Sequence, residues 1–244
     1  MKQLIIVFVT WLLLGISTTA NASEKVPILV YHSIAEFTGH GQKELYVTPE
    51  NFEMQMRYLR ENGYTMLTFE SWQETENVSK PIFVTFDDGY KNNLNVHQIF
   101  HKLKNDQFLP AATIFVISDF IGRNNRLSVR DLKMLANSGM FSIQSHTATH
   151  PDLTKAANLD DELKRSKLKI EQITGKPVIA LAYPFGSYNN QIIHHTQKYY
   201  LYGLTTTPGP YIKSGLKDEY LQLPRTYIKY STTLDQFKEI VQTK

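Results

Sequence analysis

Two segments hold the residues of this chain best able to do chemistry: Thr85-Phe86-Asp87-Asp88-Gly89-Tyr90 and, far downstream, Ser145-His146-Thr147-Ala148-Thr149-His150-Pro151. Two adjacent carboxylates and two imidazoles four residues apart can hold one divalent metal and still keep a carboxylate to spare. A ligand set of one Asp and two His leaves coordination positions open, which suits a catalytic site better than a structural one. The spare carboxylate can take a proton from a water activated by the metal. That is the equipment of a metal-dependent hydrolase.

These residues need a scaffold that brings them together. Short β-branched or aromatic runs predict strands at 27–31, 66–69, 82–86, 112–117, 141–144, 178–182, 202–206 and 221–226. Helical patterns lie between them. Thr48-Pro49-Glu50 reads as an N-cap with proline at the first helical position; Phe52, Met56 and Leu59 then make one apolar face, and Asn62-Gly63 ends the helix. Ser128 to Asp131 reads as a capping-box start, followed by Leu132 and Leu135 and stopped at Gly139. Further helices are expected at 158–173, 190–199 and 234–241. Strand alternating with helix argues for an α/β fold with a parallel sheet. The chain is short for a full eight-unit barrel, so a reduced or distorted (β/α) barrel of one domain fits best. An open doubly wound sheet is the alternative, but no glycine-rich phosphate loop follows the first strand.

In a parallel barrel the carboxyl ends of all strands meet on one face. His32 follows the first expected strand, Asp87 and Asp88 follow 82–86, and Ser145 and His146 follow 141–144. Tyr183-Pro184-Phe185-Gly186 follows 178–182, and Arg225 closes the last. Residues spread over most of the sequence are therefore expected to converge. Other histidines lack this placement. His97 and His101 repeat the four-residue spacing, but on an expected helix with no strand-end carboxylate, and read as a solvated helix face. His194 and His195 are likewise helical, and His40 lies in a polar loop.

Residues 1–22 carry Lys2, an apolar run and Ala20-Asn21-Ala22, the pattern of a secretory signal peptide cleaved after Ala22. The run is short of the length of a membrane span, and the absence of cysteine excludes a lipid attachment site at the cleavage point and a disulfide framework. The expected mature chain, 23–244, must be stabilised by its core. A net charge of +3 without a basic block gives no support for nucleic-acid binding, while leaving room for weak peripheral attraction to an anionic cell surface.

The two motifs above, together with Ala182-Tyr183-Pro184-Phe185-Gly186, resemble the first three motifs of the polysaccharide deacetylase family, the NodB-homology carbohydrate esterases. The resemblance runs from about Pro27 to Ile228. It implies a distorted barrel of about seven strands and a divalent metal, zinc before cobalt, nickel or iron. The implied reaction is hydrolysis of N-acetyl groups on sugar polymers. It further implies Asp87 as catalytic base, Asp88, His146 and His150 as metal ligands, and the Phe185 backbone N–H as an oxyanion donor. Adjacent residues on an extended strand point opposite ways, which agrees with one Asp holding the ion and the other standing aside.

Two departures from the family pattern matter. Ala182 stands where many members have arginine, and no histidine follows His195 to protonate the leaving amine. An amide needs that acid, because an amine anion is a very poor leaving group. The strand ending Tyr31-His32 resembles the start of the biofilm poly-N-acetylglucosamine deacetylases, a subgroup with rearranged elements, and His32 is assigned as general acid. Arg225, in Leu223-Pro224-Arg225-Thr226, is expected to replace the missing arginine by pairing with Asp87; the alternative is an ordinary surface arginine. Tyr31, Tyr90, Tyr183 and Tyr188 would offer stacking faces to sugars or else serve as core.

The expected protein is thus a secreted, periplasmic or surface-associated monomer acting on an N-acetylglucosamine-containing polysaccharide. Deacetylases of peptidoglycan or chitin-like chains and O-acetyl xylan esterases would share its site. A noncatalytic polysaccharide-binding barrel would not need Asp87, and a non-haem iron oxygenase would use the same two-His-one-carboxylate set.

Overall fold

Strands and capped helices alternate along the chain, and the strands pair in parallel. The computed structural model describes residues 25–242, so the expected signal peptide at 1–22 lies outside the described residues. The strands are β1 (Ile28–Tyr31), β2 (Ser33–Ile34), β3 (Tyr46–Val47), β4 (Thr65–Leu67), β5 (Pro81–Phe86), β6 (Ala112–Val116), β7 (Phe141–Ser145), β8 (Ala180–Ala182), β9 (Tyr202–Leu204) and β10 (Thr226–Tyr227). The helices are α1 (Pro49–Glu61), α2 (Leu94–Leu103), α3 (Val129–Asn137), α4 (Ser166–Thr174), α5 (Asn190–Thr196) and α6 (Leu234–Val241). The main sheet runs β10-β1-β5-β6-β7-β8-β9, with β4 added against the start of β5; β2 and β3 form a separate pair. A parallel bridge between Leu204 and Leu223 continues the last strand beside β9. The seven-strand path therefore curls into the distorted α/β barrel that the patterning predicts.

Two apolar groups flank the sheet. One lies between strands and helices and includes Leu29, Val84, Phe86, Ile114, Ile143 and Leu181. The other fills the barrel and includes Ile28, Phe83, Phe115, Ala180, Ala182, Leu204 and Leu223, closed off by Phe69 and Trp72. Successive strand residues alternate between these two cores, as the pleat requires. Local signals set the helix starts: Thr48 accepts from the Asn51 N–H with Pro49 at the first helical position, and Ser128 with Asp131 makes a reciprocal capping box.

Three expected elements differ. The chain leaves β4 at Thr68, and Phe69 opens a 3-10 stretch, Phe69–Glu76, whose aromatic rings turn into the barrel. Of the strand expected at 221–226 only Thr226 belongs to one; Leu221 lies in a 3-10 turn, and Pro224 has no N–H to give to a ladder. The helix expected at 158–173 begins as a π-helical segment, Asp161–Arg165, before becoming α4.

Candidate active site

The alternation that builds the two cores also places the site. On β1 the inward series is Ile28, Val30 and then His32; on β5 it is Phe83, Thr85 and then Asp87. On β7 the series Ser142, Gln144 ends at His146, and after β9 the series Leu223 leads to Arg225. His32, Asp87 and His146 thus follow the inward phase at their strand ends, above the barrel core, whereas Arg225 stands just before β10 and does not close a strand as the patterning suggests.

Asp87 and Arg225 are both enclosed, at 3% and 0% exposure, which excludes the surface-arginine alternative. The pair is bidentate: Arg225 Nη1 donates to Asp87 Oδ1 and Nη2 to Oδ2, each at 2.7 Å. Arg225 Nε also donates to the Thr205 carbonyl at 2.9 Å, and Nη1 to Thr85 Oγ1 at 3.2 Å. Burial by itself would raise the Asp87 pKa. The Arg225 guanidinium, aided by His146 and His32, more than reverses that and holds the carboxyl well below the usual carboxylate range. Asp87 is a fixed anion.

Asp88, His146 and His150 offer ligand atoms that lie within 4.8 Å of one another. Asp88 Oδ1 is 3.7 Å from His146 Nε2 and 3.6 Å from His150 Nε2. An ion bonded at about 2.0–2.2 Å to N and O donors can bridge such separations with small adjustments. His146 Nδ1 donates to the Ala182 carbonyl at 2.8 Å, which in the neutral ring makes Nε2, directed at the cluster, the lone-pair nitrogen. Burial, and then the neighbouring His146, push His150 down to about 4, so its ring is neutral near neutral pH. Donor types, tautomer and convergence all fit a divalent ion: Asp88, His146 and His150 can hold a metal.

The backbone is strained where these residues sit. Among the described residues six non-glycines have positive φ, and four of them are Asp88 (70°), Thr147 (66°), His150 (64°) and Phe185 (60°). Each such position costs on the order of 1–3 kcal/mol and persists only where surrounding contacts impose it. Asp88 therefore diverges from Asp87 by a left-handed turn just past β5, and not by strand alternation as the sequence suggests. Gly89 continues the turn at φ +63, where a Cβ would meet Val116 Cγ1 at 2.9 Å.

His32 and Asp87 leave their strands side by side, because Tyr31 of β1 pairs in register with Phe86 of β5 and the Asp87 N–H donates to the Tyr31 carbonyl at 2.9 Å. Burial outweighs the attraction of the two aspartates and lowers the His32 pKa. Its Nδ1 is buried without a hydrogen-bond partner among the described residues, so no neighbour locks its tautomer as Ala182 locks that of His146. Its main chain is held by Asn93, whose side chain donates to the His32 carbonyl at 2.8 Å, while Asn92 and Asn95 bind Ser33 and Ile34. Phe185 is 67% exposed at the mouth, its ring centroid 4.7 Å from that of His150.

The tyrosines divide. Tyr31 and Tyr183 are fully buried and donate to Gln55 and to the Leu221 carbonyl, so neither offers a face to a sugar. Tyr188 stacks on Tyr183. Tyr90 lies next to Asp88 with the Arg126 guanidinium 4.0 Å above its ring. His97 and His101 pair with each other on α2 at 3.1 Å, and His195 pairs with Asp160.

Sequence reasoning missed several contributors. Thr85 bridges Arg225 to the Leu29 carbonyl, Tyr227 packs its ring 5.1 Å from His32, and Glu162 supports the loop carrying the histidines. Two of these left a legible signal: Thr85 falls between Phe83 and Asp87 on the inward phase of its strand, and Glu162 falls in register with Leu159, Leu163, Ser166 and Ile170, on the buried side of its helix.

The pattern of the family described as Polysaccharide deacetylase matches residues 74–204. The chain is 33% identical over 193 residues to YxkH of Bacillus subtilis; that alignment covers 76% of this chain and 66% of YxkH, so the chain spans just under two thirds of that relative. Its fold is similar to that of BC0361, a polysaccharide deacetylase from Bacillus cereus, with TM-score 0.88 and 50% identity over 90% of this chain and 70% of the other. Streptococcus pyogenes deacetylase PplD, solved in complex with acetate, matches with TM-score 0.78 and 26% identity, over 89% of this chain and 98% of its own. The matched residues 74–204 span more than half of the chain and include the Asp87-Asp88 turn, the histidine loop and the Phe185 turn, so the chain belongs to the polysaccharide deacetylase family.

Proposed function

We propose that the protein is an exported, metal-dependent hydrolase that removes N-acetyl groups from N-acetylglucosamine units of an extracellular or cell-wall polysaccharide. The observation that carries this reading is the Asp87–Arg225 ion pair standing beside three convergent metal donors. A protein that only binds polymer has no need of a buried carboxylate kept ionised there. Export rests on the leader pattern at 1–22.

A divalent ion on Asp88, His146 and His150, with zinc favoured over cobalt, nickel or iron, would polarise the acetyl carbonyl and lower the pKa of water in the site. Asp87 accepts the proton of the attacking water, and Arg225 keeps that carboxylate aimed and charged. The Phe185 N–H, set at a left-handed turn, donates to the carbonyl oxygen as negative charge grows there. His32 in its protonated form gives a proton to the departing nitrogen as the C–N bond breaks, and the ring takes up another from solvent before the next turnover. Acetate and a free amine result. Acetate is also the molecule bound in the PplD complex. The strand-end Tyr31-His32 supports assignment to the poly-N-acetylglucosamine subgroup.

The test is acetate release from β-1,6 and β-1,4 N-acetylglucosamine oligomers and from peptidoglycan, with and without chelator and added zinc. Release from the β-1,6 oligomer is expected, abolished by chelation, restored by zinc and absent in Asp88→Asn. Release from peptidoglycan alone would reassign the polymer, and none from any substrate by folded, metal-loaded protein would end the reading. A second experiment isolates the acid. His32→Ala is expected to slow N-acetyl hydrolysis by about 10²–10⁴-fold while affecting an aryl acetate far less, since a phenolate leaves unaided. Equal losses on both substrates would remove His32 from that role.

A further inference from the structure

The loop from Ser145 to Pro151 carries both histidine ligands and turns left-handed twice, at Thr147 and His150. Its ends are tied locally. The His150 N–H donates to Thr147 Oγ1 at 3.0 Å, and the Thr147 N–H to Ser145 Oγ at 3.2 Å. Its middle is tied to a distant element. Glu162 Oε2 accepts from the Ala148 and Thr149 N–H groups at 2.9 and 2.8 Å, and Oε1 accepts from Thr149 Oγ1 at 2.6 Å. One turn on, Ser166 Oγ donates to the Thr147 carbonyl at 3.0 Å.

A carboxylate is an unusual group to enclose, and Glu162 is 8% exposed. No cation contacts it; its charge is met by these three donors alone among the described hydrogen bonds and ion pairs. It projects from the π-helical segment Asp161–Arg165, a local widening that natural helices keep mostly at functional positions. The two N–H groups it receives are those of the residues immediately before His150. Neither N–H has a backbone acceptor among the described hydrogen bonds, while on the carbonyl side Thr147 and Ala148 accept from the Ser118 and Asp119 N–H groups at 3.1 and 3.0 Å.

We infer that Glu162 is a positioning residue for the metal centre: its carboxylate sets the backbone of residues 148–149 and, through it, the direction of the His150 imidazole toward Asp88 and His146. The inference rests on the reading of those three side chains as metal ligands. A carboxylate suits the task because it is acceptor-only and can take all three donors. Glutamine keeps the shape but turns an NH2 toward a donor.

The mature chain is compared with its Glu162→Gln and Thr149→Val variants. Zinc affinity is measured by competition with a chromophoric chelator, and folding by near-UV circular dichroism. Glu162→Gln is expected to fold and to bind zinc about 10–100-fold more weakly, as loss of a ligand-orienting partner does. Saturating zinc should then restore acetate release, which it cannot do for His146→Ala. Thr149→Val removes one of the three hydrogen bonds and should weaken zinc binding in the same direction by a smaller factor. Should Glu162→Gln fail to fold, the Thr149→Val affinity decides. Unchanged affinity in folded Glu162→Gln, or in Thr149→Val when that variant decides, would overturn the inference and leave Glu162 a structural residue. Failure of the unaltered chain to bind zinc would instead overturn the metal reading.

Discussion

Asp87→Asn is expected to lower acetate release by about 10²–10⁴-fold, the usual worth of a positioned general base, with zinc affinity little changed. The asparagine amide has no basic site at neutral pH and cannot take the proton of the attacking water. Asp87 is also outside the group of three convergent donors; its Oδ2 lies 3.9 Å from His146 Nε2. Single-turnover acetate release and chelator competition on the same sample separate the two properties. Unchanged turnover would exclude Asp87 as base. A parallel loss of zinc would make it a ligand.

Arg225→Met is expected to destabilise the fold at neutral pH by about 3–5 kcal/mol, the cost of stranding a buried charge. The side chain is fully enclosed, and its donors serve Asp87, Thr85 and the Thr205 carbonyl. The pH dependence of this loss identifies Asp87 as the stranded group. In the unaltered chain the folded pKa of Asp87 lies below the unfolded value of about 3.9, so its contribution is present above that value and disappears as pH falls through the folded one. Without Arg225 the largest influence, burial, is no longer opposed by its main counterweight, and the folded pKa rises above the unfolded one. Stability of the variant then declines as pH rises past about 4, and the gap between the two proteins widens from pH 3 to pH 7. Urea denaturation at both pH values measures it. In an Asp87→Asn background the Arg225→Met cost should shrink, because no carboxylate is left unpaired. A cost below about 1 kcal/mol at pH 7 would mean that the pair behaves like an exposed one.

Much of this arrangement was legible residue by residue. The caps at Thr48 and Ser128 start helices where their side-chain oxygens dictate, since an N-cap acts within three residues of itself. The motif residues stand at strand ends because each strand is a short apolar run with a clear stop. Even the inward phase can be read back by counting twos from Phe83 to Asp87 or from Ile28 to His32. Where local pattern misled, a neighbouring constraint intervened. Pro224 broke the ladder of the last strand, and the aromatic rings at Phe69 and Trp72 were drawn into the barrel end.

The sequence by itself thus determined the element order, the parallel barrel and the identity of the groups carried to its open end, because hydrophobic period, capping and turn chemistry are local properties. The tertiary structure decided between contacts the sequence left open and added others it did not show. Arg225, readable either as the partner of Asp87 or as a surface arginine, meets Asp87 across a separation of 138 residues, and Glu162 meets the histidine loop from a helix whose start is widened by a π turn. Asn93 fixes His32 from 61 residues away. Such pairs depend on inter-strand register and on how far the sheet curls before it closes. These are set by the packing of the whole barrel at once, and no stretch of sequence encodes them alone.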